Sequence, residues 1–330
     1  MNRTHTHSIP RVYWIFTALL TVAAAAVGGI AVWLAFDAQT GYFTPGVWPI
    51  LMTVLIVVAA VGAVVAPCLT LRQATPSLRA LSDASVGTRC LSFLLAADAL
   101  FYGLMTLIAP PAVTVEAEKF ITASGVTAIG AAVYFVWAAM PTLKKHGTAL
   151  LLLGFLPVAW SISVIALTYF DLATPMNSPI KLTTQFGFAA LMLLITTELR
   201  LHLGEPAPRL AMAVRGLTAF LCISGGATLT VTVHALTGKE TLCHGATLLL
   251  VGLYALLRMA DDAFHPLPME EETPHIPTEA DVAVVADTPG EGEADATTPD
   301  DDEDDATNAT DTNTSDKDAA DTDAADADEV

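Results

Sequence analysis

The stretch FDAQTGYFTPG, Phe36 to Gly46, separates two long apolar runs and contains no Lys or Arg. The run before it, Val12–Phe36, and the run after it, Val47–Pro67, can each cross a hydrocarbon core, which takes roughly 17–25 apolar residues as helix. Six more follow: Leu91–Ala109, Phe120–Pro141, Thr148–Phe170, Leu182–Leu203, Leu210–Leu236 and Thr241–Met259. A soluble core would not need so many uninterrupted apolar helices with such short polar joins. The chain reads as an all-α polytopic membrane bundle of about eight transmembrane helices, with the lipid bilayer as its solvent. A cleaved signal peptide is the rival for the first run. That run is about 25 residues long against the 7–15 of a secretory apolar region, so a retained helix is expected.

Charge divides the chain. Of 330 residues 53% are hydrophobic, yet the net charge is −19. Glu270–Val330 holds 23 acids against a single cation, Lys317, whereas residues 1–269 hold 11 acids and 14 cations. The expected organisation is a cytoplasmic segment 1–11, a transmembrane domain 12–259 and an acidic tail 260–330. The tail has too few apolar residues to offset its ordering entropy and is expected to be disordered. It serves as a solvating arm or as a docking arm for a basic protein partner. Its Asp clusters lack the Gly and terminal Glu of a calcium loop. No nucleic-acid partner is expected.

Cations flanking membrane helices stay on the cytoplasmic side. Arg3 and Arg11 precede the first helix; Arg72, Arg79 and Arg89 lie in the second connection, and Lys144 and Lys145 in the fourth. Arg200, Arg209 and Arg215 lie around the sixth, and Arg258 closes the last helix. The alternate connections hold only Lys119, Lys181 and Lys239. The opening stretch therefore lies outside and both termini inside. Gly41 and Pro45-Gly46 turn the chain there, while Phe36, Tyr42, Phe43 and Trp48 suit the interface.

Two weak pairings hint at a repeat. Phe36-Asp37 and Phe170-Asp171 open the first and third external loops, and RCLSFLLA from Arg89 matches RGLTAFLC from Arg215. Two parallel four-helix halves would give this spacing, and repeated interface chemistry would give it too. Packing between helices in lipid relies on small residues. Ser124, Ala128 and Ala132 form such a face, as do Ala24 with Gly28, and Gly225 with Gly226.

Asp98, in LLAADALFYG, is the most informative single residue. It lies about 10 Å into the third helix, at 1.5 Å per residue. A carboxylate there costs about 2.5–3.5 kcal/mol on insertion, so it must face the bundle. It is either a functional carboxylate or one hydrogen-bonded to a neighbour such as Thr228 or Thr230. Glu198, with Arg200 and His202 beside it, has the usual reading of a snorkelling interfacial cluster; a cytoplasmic salt bridge to Arg215 is the sharper one. His234, Cys243 and His244 surround the seventh connection, with Asp37 and Asp171 on the same side. None of the pairs has the spacing of a preorganised zinc site, so no metal or other cofactor is expected. His5 and His7 read as part of a solvated terminus.

Cys68, Cys90, Cys222 and Cys243 fall on different sides of the membrane or within it, which predicts no structural disulfide. No phosphate-binding glycine loop, zinc-protease helix, nucleophile elbow or kinase set is present. The apolar core lacks the several acids and cations of an ion path.

The turn Asp37-x-x-Thr40-Gly41-Tyr42 resembles one found in uncharacterised multi-pass membrane proteins of anaerobic Gram-positive bacteria. The sixth-helix exit, Glu198-Leu-Arg200 followed by Glu205-Pro-Ala-Pro-Arg209, is similar to theirs as well. The resemblance implies a bacterial plasma membrane and carries no activity or site residues with it. Three functions are weighed. The first is a non-enzymatic scaffold or accessory subunit. The second is a small-solute transporter with Asp98 as its proton- or cation-coupling carboxylate. The third is an intramembrane enzyme, for which no facing nucleophile and base can be named. A polar cavity reaching Asp98 would mark the transporter; an Asp98 sealed by hydrogen bonds would mark the scaffold.

Overall fold

The computed structural model describes residues 8–37, 39–70, 84–111, 113–140, 147–172, 175, 178–203, 207–232 and 239–264. All belong to the first of two units, Met1–Met269. The acidic tail, His5, His7, Arg72, Arg79, Lys144, Lys145, Glu205 and His234 lie outside the described residues.

Among the described residues eight helices are long and apolar enough to cross a membrane, and the fold is an all-α polytopic bundle. They are α1 (Ser8–Ala35), α2 (Val47–Thr70), α3 (Val86–Ile108), α4 (Val115–Ala139), α5 (Gly147–Phe170), α6 (Pro179–His202), α7 (Pro208–Thr232) and α8 (Lys239–Phe264). Several ends differ from the sequence-based bounds, for local reasons. α3 begins five residues early because Ser85 caps it, its hydroxyl accepting from the Thr88 amide at 3.3 Å. That brings Arg89 into the first turn. α4 starts at Val115, with Glu116 and Glu118 in its first turn, where the helix dipole favours carboxylates. α8 runs five residues past Met259, because Asp261 and Asp262 find partners on other helices.

The opening stretch makes a small hairpin that sequence reading did not anticipate. β1 (Phe36–Asp37) pairs antiparallel with β2 (Tyr42–Phe43), and Phe36 meets Phe43 edge to face at 5.7 Å. Gly41 takes a positive φ of 73°, a backbone conformation glycine adopts without strain. Asp37 accepts from the Gln39 amide and the Thr40 hydroxyl, both at 2.9 Å. These bonds hold its carboxyl below the usual carboxylate range. Ser178, just ahead of α6, donates to the Gly41 carbonyl at 3.1 Å and ties the hairpin down.

Helix neighbours define the architecture. α7 packs on α8, α8 on α3, α3 on α4, α4 on α5, α5 on α6, and α6 back on α7, which closes a ring of six helices. α1 and α2 lie against each other and against α7, with α1 also touching α8. In consequence 72% of the α7 span is buried and only 11% of that of α2. The two ends of the described bundle meet: Arg11 donates to the Ala263 carbonyl at 3.2 Å, and Trp14 to that of Leu256 at 2.9 Å. Both termini of the helical region thus lie on one face, opposite the hairpin.

Small residues set the closest crossings, as the sequence predicts. Ser124, Ala128 and Ala132 are all buried. A Cβ on Gly103 would stand 2.7 Å from the Gly125 carbonyl oxygen, and one on Gly226 would stand 2.8 Å from that of Gly245. The α3–α4 and α7–α8 hairpins therefore share a glycine-on-glycine crossing. The likeness stops there, since α5 and α6 sit in the ring while α1 and α2 lie outside it.

Candidate functional site

One face of α8 contributes to both polar centres of the helix ring. His244, Thr247, Val251, Tyr254, Arg258 and Asp261 recur at alternating steps of three and four, which places them along one side of the helix. Thr247, Val251, Tyr254, Arg258 and Asp261 are all buried. This stripe divides into two centres.

The first lies toward the face holding the termini and unites α6, α7 and α8. Arg215 donates to Glu198 Oε1 from Nε at 2.9 Å and from Nη2 at 2.7 Å, a two-pronged pairing. Its Nη1 donates to Asp262 Oδ2. Arg258 Nη2 reaches the other Glu198 oxygen at 2.9 Å. Relative exposure is 0% for both arginines and 1% for Glu198, so lipid and water are both shut out. Formal charges cancel across these four side chains, which is the condition under which buried ions persist.

Asp261 works next door. Its Oδ2 accepts from the Thr88 hydroxyl at 2.8 Å and from the Ser85 amide at 3.1 Å. A carboxylate in the last turn of α8 opposes that helix's own dipole, but here it meets the amide-rich start of α3. The end of α8 and the start of α3 are thereby pinned together.

Three expectations change. Glu198 is not part of a snorkelling cluster with Arg200: it is sealed inside, while Arg200 is exposed. Arg215 and Arg258 are core residues, although their sequence positions suggested flanking cations. The core also contains Glu198, Arg215, Arg258, Asp261 and Asp262, so it is not poor in charge. A sequence signal for the missing members existed. Arg258, Asp261 and Asp262 continue the three-four periodicity of α8, and that period outranks the habit of ending a membrane helix at its first charges.

The second centre lies toward the hairpin face. Asp98 accepts from the Thr247 hydroxyl at 2.6 Å, not from Thr228 or Thr230. Those two hydroxyls instead donate to carbonyls one turn back in α7, at 2.8 and 2.7 Å. Asp98 is half-buried, between the ring-facing Leu95, Ala99 and Tyr102 and the outward Phe101. One turn along α8 from Thr247, His244 joins a circuit of four rings. Tyr102 lies 5.6 Å from Trp160 and 5.6 Å from His244; Phe188 lies 5.5 Å from Trp160 and 5.6 Å from His244. Since α3, α5, α6 and α8 each give one ring, the circuit plugs the middle of the helix ring. Trp160 Nε1 and His244 Nε2 are buried without a hydrogen-bond partner among the described residues.

The described residues do not bring the external cluster together. His244 belongs to the ring circuit, Asp37 to its own turn, and His234 is outside the described residues. Among the described residues no three His, Cys, Asp or Glu side chains come together as metal ligands. None of the four cysteines is in a disulfide; Cys68 and Cys90 are exposed, Cys243 is half-buried and Cys222 is buried.

A cavity of about 320 Å³ lies elsewhere, between α1, α2, α6 and α7 on the hairpin side. No family model, curated protein or solved structure matches the chain.

Proposed function

We propose that this chain is a non-enzymatic integral membrane protein, a scaffold or accessory subunit, set in a bacterial plasma membrane with both termini cytoplasmic. The resemblance of its Asp37–Tyr42 turn to that of multi-pass proteins of anaerobic Gram-positive bacteria fits this setting. The observation that carries the reading is that the ring's buried arginines and their carboxylates pair with one another and that Asp98 has a hydroxyl partner. Glu198, Arg215, Arg258 and Asp262 pair among themselves, and Asp98 is bonded to Thr247. Exchanging the buried ion pairs for a passing solute would mean breaking contacts whose partners then stay buried and charged.

A second reading, a small-solute transporter coupled through Asp98, is favoured by the two unpartnered ring nitrogens of Trp160 and His244 in the ring circuit, His244 lying one turn along α8 from the Thr247 that bonds Asp98. One experiment separates the two. Asp98→Cys is made in a background where Cys68, Cys90, Cys222 and Cys243 are replaced, and a membrane-impermeant maleimide is applied to each side of reconstituted vesicles. The scaffold reading expects no labelling from either side, with full labelling after denaturation. Labelling of the introduced thiol from an aqueous side would overturn it and establish the water path that a transporter needs.

A further inference from the structure

We propose that the cavity between α2 and α6 is a binding groove for one hydrocarbon chain of a phospholipid in the hairpin-side leaflet. α2 and α6 form its walls, and α1 and α7 form its floor with Ala24, Gly28, Ser224 and Gly225. The floor is close-packed. A Cβ on Gly28 would stand 2.7 Å from the Thr228 hydroxyl, and one on Gly225 would stand 2.7 Å from a Thr183 methyl. α2 packs on α1 and α7 and leaves a cleft on its α6 side. Wall residues Val57 and Phe186 are 55% and 59% exposed, so the cleft opens sideways to lipid.

Chemistry and length select the occupant. The groove is lined without a single charged residue. The hydroxyls of Thr53, Ser224 and Thr228 each donate to a carbonyl of their own helix, at 2.7–2.8 Å. Of the four lining hydroxyls that leaves Thr183 to offer a polar ligand, and a hydrocarbon asks for none. Lining residues run from Pro179 to Phe186 on α6 and from Pro49 to Val57 on α2. At 1.5 Å per residue that is about 10–12 Å, against about 15 Å for half of a 30 Å hydrocarbon core. Phe43 of the hairpin lines the groove at its hairpin end, and aromatic rings are favoured at a membrane interface. The groove thus follows only about a third of the roughly 30 Å core that a partner's transmembrane helix would have to cross. It is too short to seat such a helix along its length. One acyl chain of a single leaflet matches it in extent and in chemistry.

The test uses the full chain in vesicles doped with a phosphatidylglycerol that carries a diazirine midway along one acyl chain. After illumination the attachment points are mapped by mass spectrometry. Thr53→Trp and Val57→Trp fill the groove from α2. Val58→Trp, on an exposed position that does not line the groove, is the control. The expected result is attachment concentrated on Met52, Ile56, Leu182 or Leu221, reduced at least about five-fold by either filling variant and unchanged by the control. Attachment spread evenly over lipid-facing positions, or undiminished by filling, would overturn the proposal. So would attachment reduced equally by Val58→Trp. Phospholipid retained through detergent washing, measured on the same variants, gives a second readout: the wild type keeps one more bound lipid than Thr53→Trp. Equal retention would count against the groove. The outcome is independent of whether Asp98 meets water, so this proposal and the scaffold reading can fail separately.

Discussion

Glu198 shows how far one residue's role depends on its burial. In sequence it stands two places from Arg200, which is solvent-exposed; in space it is sealed between Arg215 and Arg258. Glu198→Gln removes the carboxylate shared by both arginines and leaves positive charge buried with too little compensation. The expected cost is about 3–5 kcal/mol, read as a large fall in the thermal unfolding midpoint in detergent. Arg200→Ala, made at an exposed position, is expected to stay within about 0.5 kcal/mol of wild type. Similar losses in the two variants would show that the pairings contribute nothing beyond the surface. The sequence allowed the Glu198–Arg215 contact but could not rank it. Charged residues near a helix end snorkel or pair according to what the neighbouring helices offer, and that is not written locally.

At the scale of elements, glycine positions that look alike in sequence differ in what surrounds them. Gly226 lies against the backbone of α8, where a Cβ would stand 2.8 Å from the Gly245 carbonyl oxygen and the Leu249 amide nitrogen. Gly62 of α2 has nothing within 4 Å of an added methyl. Gly226→Ala is therefore expected to force α7 and α8 apart at a cost of about 1–3 kcal/mol. Gly62→Ala is expected to leave stability unchanged or raise it by up to about 1 kcal/mol, through helix propensity. Thermal unfolding of the two variants side by side checks this, and equal effects would contradict the crossing geometry. The existence of each helix was legible from its apolar run. Ends were less so, because Ser85, Glu116 and the Asp261–Asp262 pair extend helices by capping, dipole and tertiary bonds rather than by hydropathy.

Over the whole molecule, Arg11 beside Ala263 places both ends of the helical region on one face. By the inside-positive pattern of the sequence, that face is the proposed cytoplasmic one. Reporters that are active only in the cytoplasm, fused at each end, are expected to be active at both; activity at one end alone would contradict the even number of crossings. Lipid as the solvent, the number of spans and the turn at Gly41 were determined by the sequence itself, because hydropathy, loop charge and a left-handed residue act over a few neighbours. The suggested four-plus-four halves were only partly legible. The α3–α4 and α7–α8 hairpins do share a glycine crossing, but the place of α1 and α2 outside the ring follows from how helix faces fit. Tertiary structure alone decided that Thr247 meets Asp98, that four aromatic rings plug the interior, and that Glu198, Arg215, Arg258 and Asp262 cancel one another. These contacts join helices far apart in the chain, and in lipid every apolar face is equally content with hydrocarbon. Which faces meet is therefore settled by shape and by the few polar groups that must find each other.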